Sequence, residues 1–201
     1  MGAGSSTVPA RATRADLART PGKAELIGGR IVLRMPSGSQ PGRVALRIAR
    51  SVDDQAERTG RGFAVGDNTG FYVPTLESGR ESFSPDAAYF EGPAPVDPMR
   101  FVEGPPTFAV EVRSEGDYGP AAEAELAAKR ADYFEAGTLV VWDVDPLAEC
   151  VHVYRPDSPD RPITYHLSPR SGSRRRTSPS RLADRGGSRV PLIDPFSRRS
   201  L

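Results

Sequence analysis

The apolar positions of this chain change period several times, and each change marks an element. In A-E-L-I-G-G-R-I-V-L-R-M, two short apolar runs flank Gly28-Gly29, which predicts a hairpin with a two-residue turn. Just before it, T-R-A-D-L-A-R allows a turn or two of helix ahead of Pro21. P-S-G-S-Q-P-G reads as a loop on composition. In the following R-V-A-L-R-I-A-R-S-V-D-D-Q-A-E-R, Val44, Ile48 and Val52 recur every four residues with Ala45, Ala49 and Ala56 beside them. That spacing predicts an amphipathic helix stopped by Gly60. F-A-V-G, G-F-Y-V-P and D-A-A-Y-F then read as strands broken by turns.

Residues 91–106 hold five prolines and two glycines and read as a loop. T-F-A-V-E-V-R predicts a strand, and S-E-G-D-Y-G-P a loop. A helix is expected from about Ala121 to Ala136, with Pro120 near its start and Gly137 as its stop. L-V-V-W-D-V-D is apolar enough for a strand buried on both faces. Asp145-Pro146 turns the chain into the strand C-V-H-V-Y-R, and I-T-Y-H-L is a candidate last strand. Residues 13–168 read as one domain with a real core. Residues 1–12 are small and polar, and residues 169–201 are rich in Arg, Ser and Pro; disorder is expected in both.

Charge sharpens this division. The tail from Pro169 carries nine arginines against two aspartates, so a chain of net charge +1 has a body of net −6. An acidic body argues against tight nonspecific DNA binding through a broad basic face, but not against a local groove whose carboxylates are offset by cations. The one cysteine, Cys150, cannot form an internal disulfide and reads as a small buried strand residue. No apolar run is long enough to span a bilayer, and the first residues lack the apolar stretch of a secretory signal. The expected location is the cytoplasm, with no membrane association.

The candidate chemistry lies in three side chains. In the strand Thr107–Arg113, Phe108, Val110 and Val112 share one face, and Ala109, Glu111 and Arg113 share the other. A glutamate in such a strand needs a cation, a metal or hydrogen bonds. Asp86 starts the D-A-A-Y-F strand and can converge with Glu111 at neighbouring strand ends. Two hard carboxylate ligands, completed by water and phosphate oxygens, suit magnesium. Of 27 basic residues, 25 are arginine and two are lysine, Lys23 and Lys129. Lys129 shares a helix side with Leu126, Arg130, Tyr133 and Gly137, from which its ammonium can point toward Glu111. A compact charge on a flexible stem suits a role beside an attacking water or a developing phosphorane.

Each residue also has a plainer reading. Glu111 can pair with Arg113, Lys129 can extend into solvent, and Asp86 can be a turn residue. Glu25 is either a further acid at the site or a solvated hairpin residue. Asp143 and Asp145 more simply close their strand and cap its turn, and His152 and His166 read as structural. No zinc cluster, phosphate loop, dinucleotide fingerprint or Gly-x-Ser-x-Gly elbow is found.

The blocks A-E-L-I-G-G-R-I-V-L-R-M-P, S-P-D-A-A-Y-F, F-A-V-E-V-R-S, K-R-A-D-Y-F-E-A-G-T-L-V-V-W-D-V-D-P and V-H-V-Y-R occur in this order. Together they resemble the Uma-two family, restriction-endonuclease-like bacterial proteins of the PD-(D/E)XK nuclease superfamily. The similarity covers about residues 12–168. It implies a restriction-endonuclease-like α/β core, a mixed central β-sheet flanked by helices. It further implies that Asp86 and Glu111 bind the metal, that Lys129 replaces the usual motif lysine, and that Glu25 matches the family's first acidic position. Arg113 stands in the motif's own lysine position, two residues after Glu111.

The expectation is therefore a magnesium-dependent (or manganese-dependent) endonuclease acting on DNA, with Asp86, Glu111, Lys129 and Glu25 as catalytic residues and a homodimer left open. The alternative is a catalytically degenerate nuclease fold that binds DNA or protein. Cleavage of RNA is a weaker option, because the chain offers no clear aromatic stacking platform.

Overall fold

A computed structural model describes residues 11–166. The expected disorder of residues 169–201 and of residues 1–10 lies outside the described residues. Arg11 and Ala12, read with the polar N-terminal segment, are attached to the body. Ala12 donates its amide to Gly29 O at 2.9 Å, and Arg11 pairs with Glu81 at 3.0 Å.

The chain opens with α1 (Arg14–Arg19), where Thr13 and Asp16 form a reciprocal capping box. The hairpin follows as β1 (Ala24–Ile27) and β2 (Arg30–Leu33), antiparallel, with Gly28 and Gly29 both at positive φ as a tight turn requires. The helix α2 (Ser39–Thr59) buries Ala45, Ile48, Val52 and Ala56 and ends on Gly60 in the left-handed conformation. It begins earlier than its composition indicates. Ser39 to Gly42 were expected in a loop but form the first turn, because Pro41 lies where no intrahelical N–H is needed.

Six strands form the central mixed sheet. They are β3 (Phe63–Gly66), β6 (Ala87–Phe90), β8 (Phe108–Val112), β9 (Val140–Asp145), β10 (Cys150–Tyr154) and β11 (Ile163–His166), ordered β11-β10-β9-β8-β6-β3. The pair β8–β9 is parallel; the other neighbours are antiparallel. The crossover between β8 and β9 is α3 (Pro120–Ala136), an alanine-rich helix with Pro120 in its first turn and Gly137 at its left-handed stop. All six residues of β9 are buried, Asp143 and Asp145 included, as expected for a largely apolar strand covered on both faces. The edge strand β11 is exposed throughout.

The two sheet faces are covered differently. Tyr133 of α3 lies in one core with Ala88, Ala109, Val141 and Phe83, and its ring stacks on Phe83 with centroids 4.0 Å apart. The opposite parity of β8 faces α2, where Val112, Ala45 and Ala49 line one cleft. A second sheet, ordered β5-β4-β7, is built from β4 (Phe71–Tyr72), β5 (Ser82–Phe83) and β7 (Val102–Glu103). The sequence pattern misses β5 and places β7 inside a loop, since two residues are too few to show a period.

Gly62 is one glycine that the fold cannot exchange. It has φ +62°, and a Cβ there would sit 2.0 Å from the carbonyl oxygen of Phe90 on the neighbouring strand. Gly62→Ala should cost about 3 kcal/mol, the sum of a left-handed conformation and an overlap with backbone. A urea titration measures it, and an unchanged midpoint would show that the turn relaxes freely.

Candidate active site

The alternation of β8 and the register of β6 bring the two candidate metal ligands together. Ala87 pairs with Val110 and Ala88 with Ala109. Asp86 stands just before Ala87 and Glu111 just after Val110, and the two carboxylates lie near enough to repel each other. The backbone seals this arrangement. Asp86 N donates to Val110 O at 3.0 Å, and Val112 N donates to Asp86 Oδ2 at 2.7 Å. Asp86 is thus fastened to the residue that follows Glu111.

Lys129 reaches the same place from α3. It is buried with Asp132 and Tyr133 on the helix face that meets the sheet. Its Nζ lies 2.8 Å from Glu111 Oε1 and 3.0 Å from Glu25 Oε1, so the ammonium points inward and does not extend into solvent. Tyr133 OH donates to Glu111 Oε1 at 2.6 Å. Glu111 Oε2 takes no hydrogen bond from the described residues, and the side chain keeps 16% exposure. Burial raises the Glu111 pKa above the usual carboxylate range. Lys129 pulls the other way, and repulsion from Asp86 and Glu25 adds to the rise.

The expected alternative partner of Glu111 is engaged elsewhere. Arg113 holds Asp143 through two contacts of 2.8 Å and also pairs with Glu123. Asp143 is therefore a buried counter-ion and not a strand cap. Asp145 does cap its turn, accepting the amides of Leu147 and Ala148 at 2.9 Å each. Cys150 is buried on β10, and His152 bonds Thr164 across to β11 and contacts the Cys150 sulfur on its own strand.

Glu25 is the fully buried hub of this region. Oε1 accepts Ser84 N at 3.1 Å and faces Lys129. Oε2 receives Arg34 Nη2 at 2.7 Å, Arg34 Nε at 3.1 Å and Arg80 Nη1 at 3.0 Å. A carboxylate has about four lone-pair sites, and these five donors fill them. Burial pushes the Glu25 pKa up, but Lys129, Arg80 and Arg34 outweigh it and hold the group well below its ordinary value. In this geometry Glu25 positions Lys129 and has no oxygen left for a metal ion. Asp132 completes the network by holding Arg80 Nε at 2.7 Å.

Sequence reasoning missed Lys23. Its Nζ lies 2.5 Å from Asp86 Oδ1 and 2.7 Å from Asp67 Oδ1. The scarcity of lysine that drew attention to Lys129 applied equally to Lys23, but its partners Asp67 and Asp86 lie 44 and 63 residues further along.

Among the described residues, no group of three or more His, Cys, Asp or Glu side chains forms a ready-made metal cage. The donor set nonetheless fits magnesium. It offers two carboxylates from neighbouring strands, one with an open oxygen, and magnesium usually keeps several waters beside one or two carboxylates.

A mixed sheet with a parallel strand–helix–strand unit, flanked by helices and carrying acids and a lysine at adjoining strand ends, defines an α/β protein of the nuclease-fold class. The solved structure of "a putative nuclease belonging to DUF820" from Anabaena variabilis shares this fold at TM-score 0.58. The two are 18% identical, over 77% of this chain and 84% of that one. The family model Uma2, described as "Putative restriction endonuclease", matches residues 13–183, and the chain belongs to that family. No curated protein matches it.

Proposed function

We propose that this protein is a magnesium-dependent endonuclease that hydrolyses DNA phosphodiester bonds, with manganese as an effective substitute and residues 13–168 as its catalytic unit. The observation that carries this reading is the buried Lys129 ammonium, 2.8 Å from Glu111, on a strand whose neighbour begins just after Asp86. Asp86 and Glu111 would hold the metal. When bound, such an ion makes a water a better nucleophile at neutral pH and polarises a phosphoryl oxygen. Lys129 orients the attacking water and stabilises the charge that builds on the phosphorane. Glu25 fixes Lys129 in place, and Arg34 and Arg80 keep Glu25 ionised. Tyr133 holds Glu111 by one oxygen and leaves the other available for a metal ion. Among the described residues, no helix is long and apolar enough to cross a membrane. A cytoplasmic protein acting on DNA, with or without a second subunit, is the setting we infer.

Asp86→Ala tests the reading. The wild-type protein should nick plasmid DNA with magnesium, and the variant should be inactive at matched concentration and fold. Equal nicking by both would refute the role of Asp86.

A second reading is favoured by the complete engagement of Glu25 and by the Lys129–Glu111 pair, which together describe a site able to persist without an ion. In that case the fold binds DNA or a protein without cleaving. Calorimetric titration with manganese separates the two, since a degenerate site takes up no ion through its carboxylates.

A further inference from the structure

Both lysines of the chain stand at this site, yet the reaction above uses only Lys129. Lys23 leads into β1, two residues before Glu25, and its ammonium bridges Asp86 and Asp67. The two partners are unlike. Asp86 is fixed by the amide of Val112 and is 20% exposed, whereas Asp67 lies just past β3 and is 56% exposed. Both line one open cleft, with Ser37, Gly42 and Val112 among its walls. An ammonium 2.5 Å from Asp86 Oδ1 occupies the space that an ion on that oxygen needs, and two cations cannot share it.

We infer that Lys23 is a built-in counter-ion of the metal pair, holding Asp86 while the ion is away and withdrawing onto Asp67 when it binds. This inference rests on Asp86 being a metal ligand. Asp86 and Glu111 repel each other, and a local cation keeps both carboxylates in place before an ion arrives. Lysine suits the exchange because a point charge on a flexible stem can change partners, where a planar guanidinium would clamp both acids. The exposed Asp67 gives the withdrawn ammonium a partner, so no charge is left buried and alone.

The test is manganese binding to the full chain, followed by calorimetry and by electron paramagnetic resonance of the free ion. Lys23→Gln should bind manganese about tenfold more tightly than wild type, because a partly buried competing charge is gone. Lys23→Arg should bind more weakly than wild type, and Asp86→Asn should not bind. Asp67→Asn should weaken binding in the wild-type background and leave it unchanged in the Lys23→Gln background. If Lys23→Gln binds no more tightly while Asp86 is still required, the counter-ion role is overturned and the metal reading stands. If neither wild type nor Lys23→Gln binds manganese, both fall. Weakening by Asp67→Asn in both backgrounds would make Asp67 a ligand and overturn the withdrawal. Should Lys23→Gln fail to fold, Lys23→Arg decides: binding as tight as wild type or tighter overturns the proposal.

Discussion

Lys129→Met is expected to cut magnesium-dependent plasmid nicking by about 100- to 1,000-fold, the loss typical of removing one charge-stabilising donor from an active site. Methionine keeps most of the lysine stem's volume against Tyr133 and removes only the charge. Glu25 retains Arg34, Arg80 and the amide of Ser84, so the hub survives. Glu111 retains the Tyr133 hydroxyl and, already raised in pKa by burial, is pushed further toward its neutral form. The variant should therefore fold, and circular dichroism with single-turnover nicking checks both halves. Undiminished cleavage would remove Lys129 from the chemistry and leave it a structural cation.

Glu25→Gln should have the largest effect on stability, about 3–5 kcal/mol, or about 10 °C in Tm. It removes the anion around which Lys129, Arg80 and Arg34 converge and leaves three cations facing a neutral amide. That loss is a large part of what a domain of this size usually possesses. The pH dependence has a definite sign. The folded pKa of Glu25 is depressed, so its contribution is fully present above the ordinary value of 4.5 and is lost as pH falls from there toward the lower folded value. The stability gap between wild type and variant should be constant above pH 4.5 and narrow below it. Urea unfolding across this range measures it, and a gap that widens on acidification would contradict the assigned ionisation.

Most of the frame is legible in the chain because its longer elements repeat a period. The hairpin at Gly28-Gly29, the amphipathic α2 with Gly60, the helix stopped by Gly137 and the all-buried β9 each announce themselves over several residues. The short strands β5 and β7 do not, because two residues cannot display alternation. The opening of α2 was concealed by Pro41 and Gly42, which mark loops in most contexts but are tolerated in a first turn. That Asp86 and Glu111 lie near each other was readable from their positions at the ends of two strand-like runs. The saturation of Glu25 was not, since Arg34, Arg80 and Lys129 come from three separate segments. Lys23 escaped for the same reason, its partner Asp86 lying 63 residues further along.

The central claim is that Asp86 and Glu111 hold one divalent ion beside Lys129. Anomalous diffraction from a manganese-soaked crystal tests it most directly. A single peak in contact with carboxylate oxygens of both Asp86 and Glu111, with the Lys23 ammonium moved off Asp86, is the predicted result. A fully ordered site in which Lys23 and Lys129 keep their carboxylate partners, with manganese absent or bound elsewhere, would contradict it.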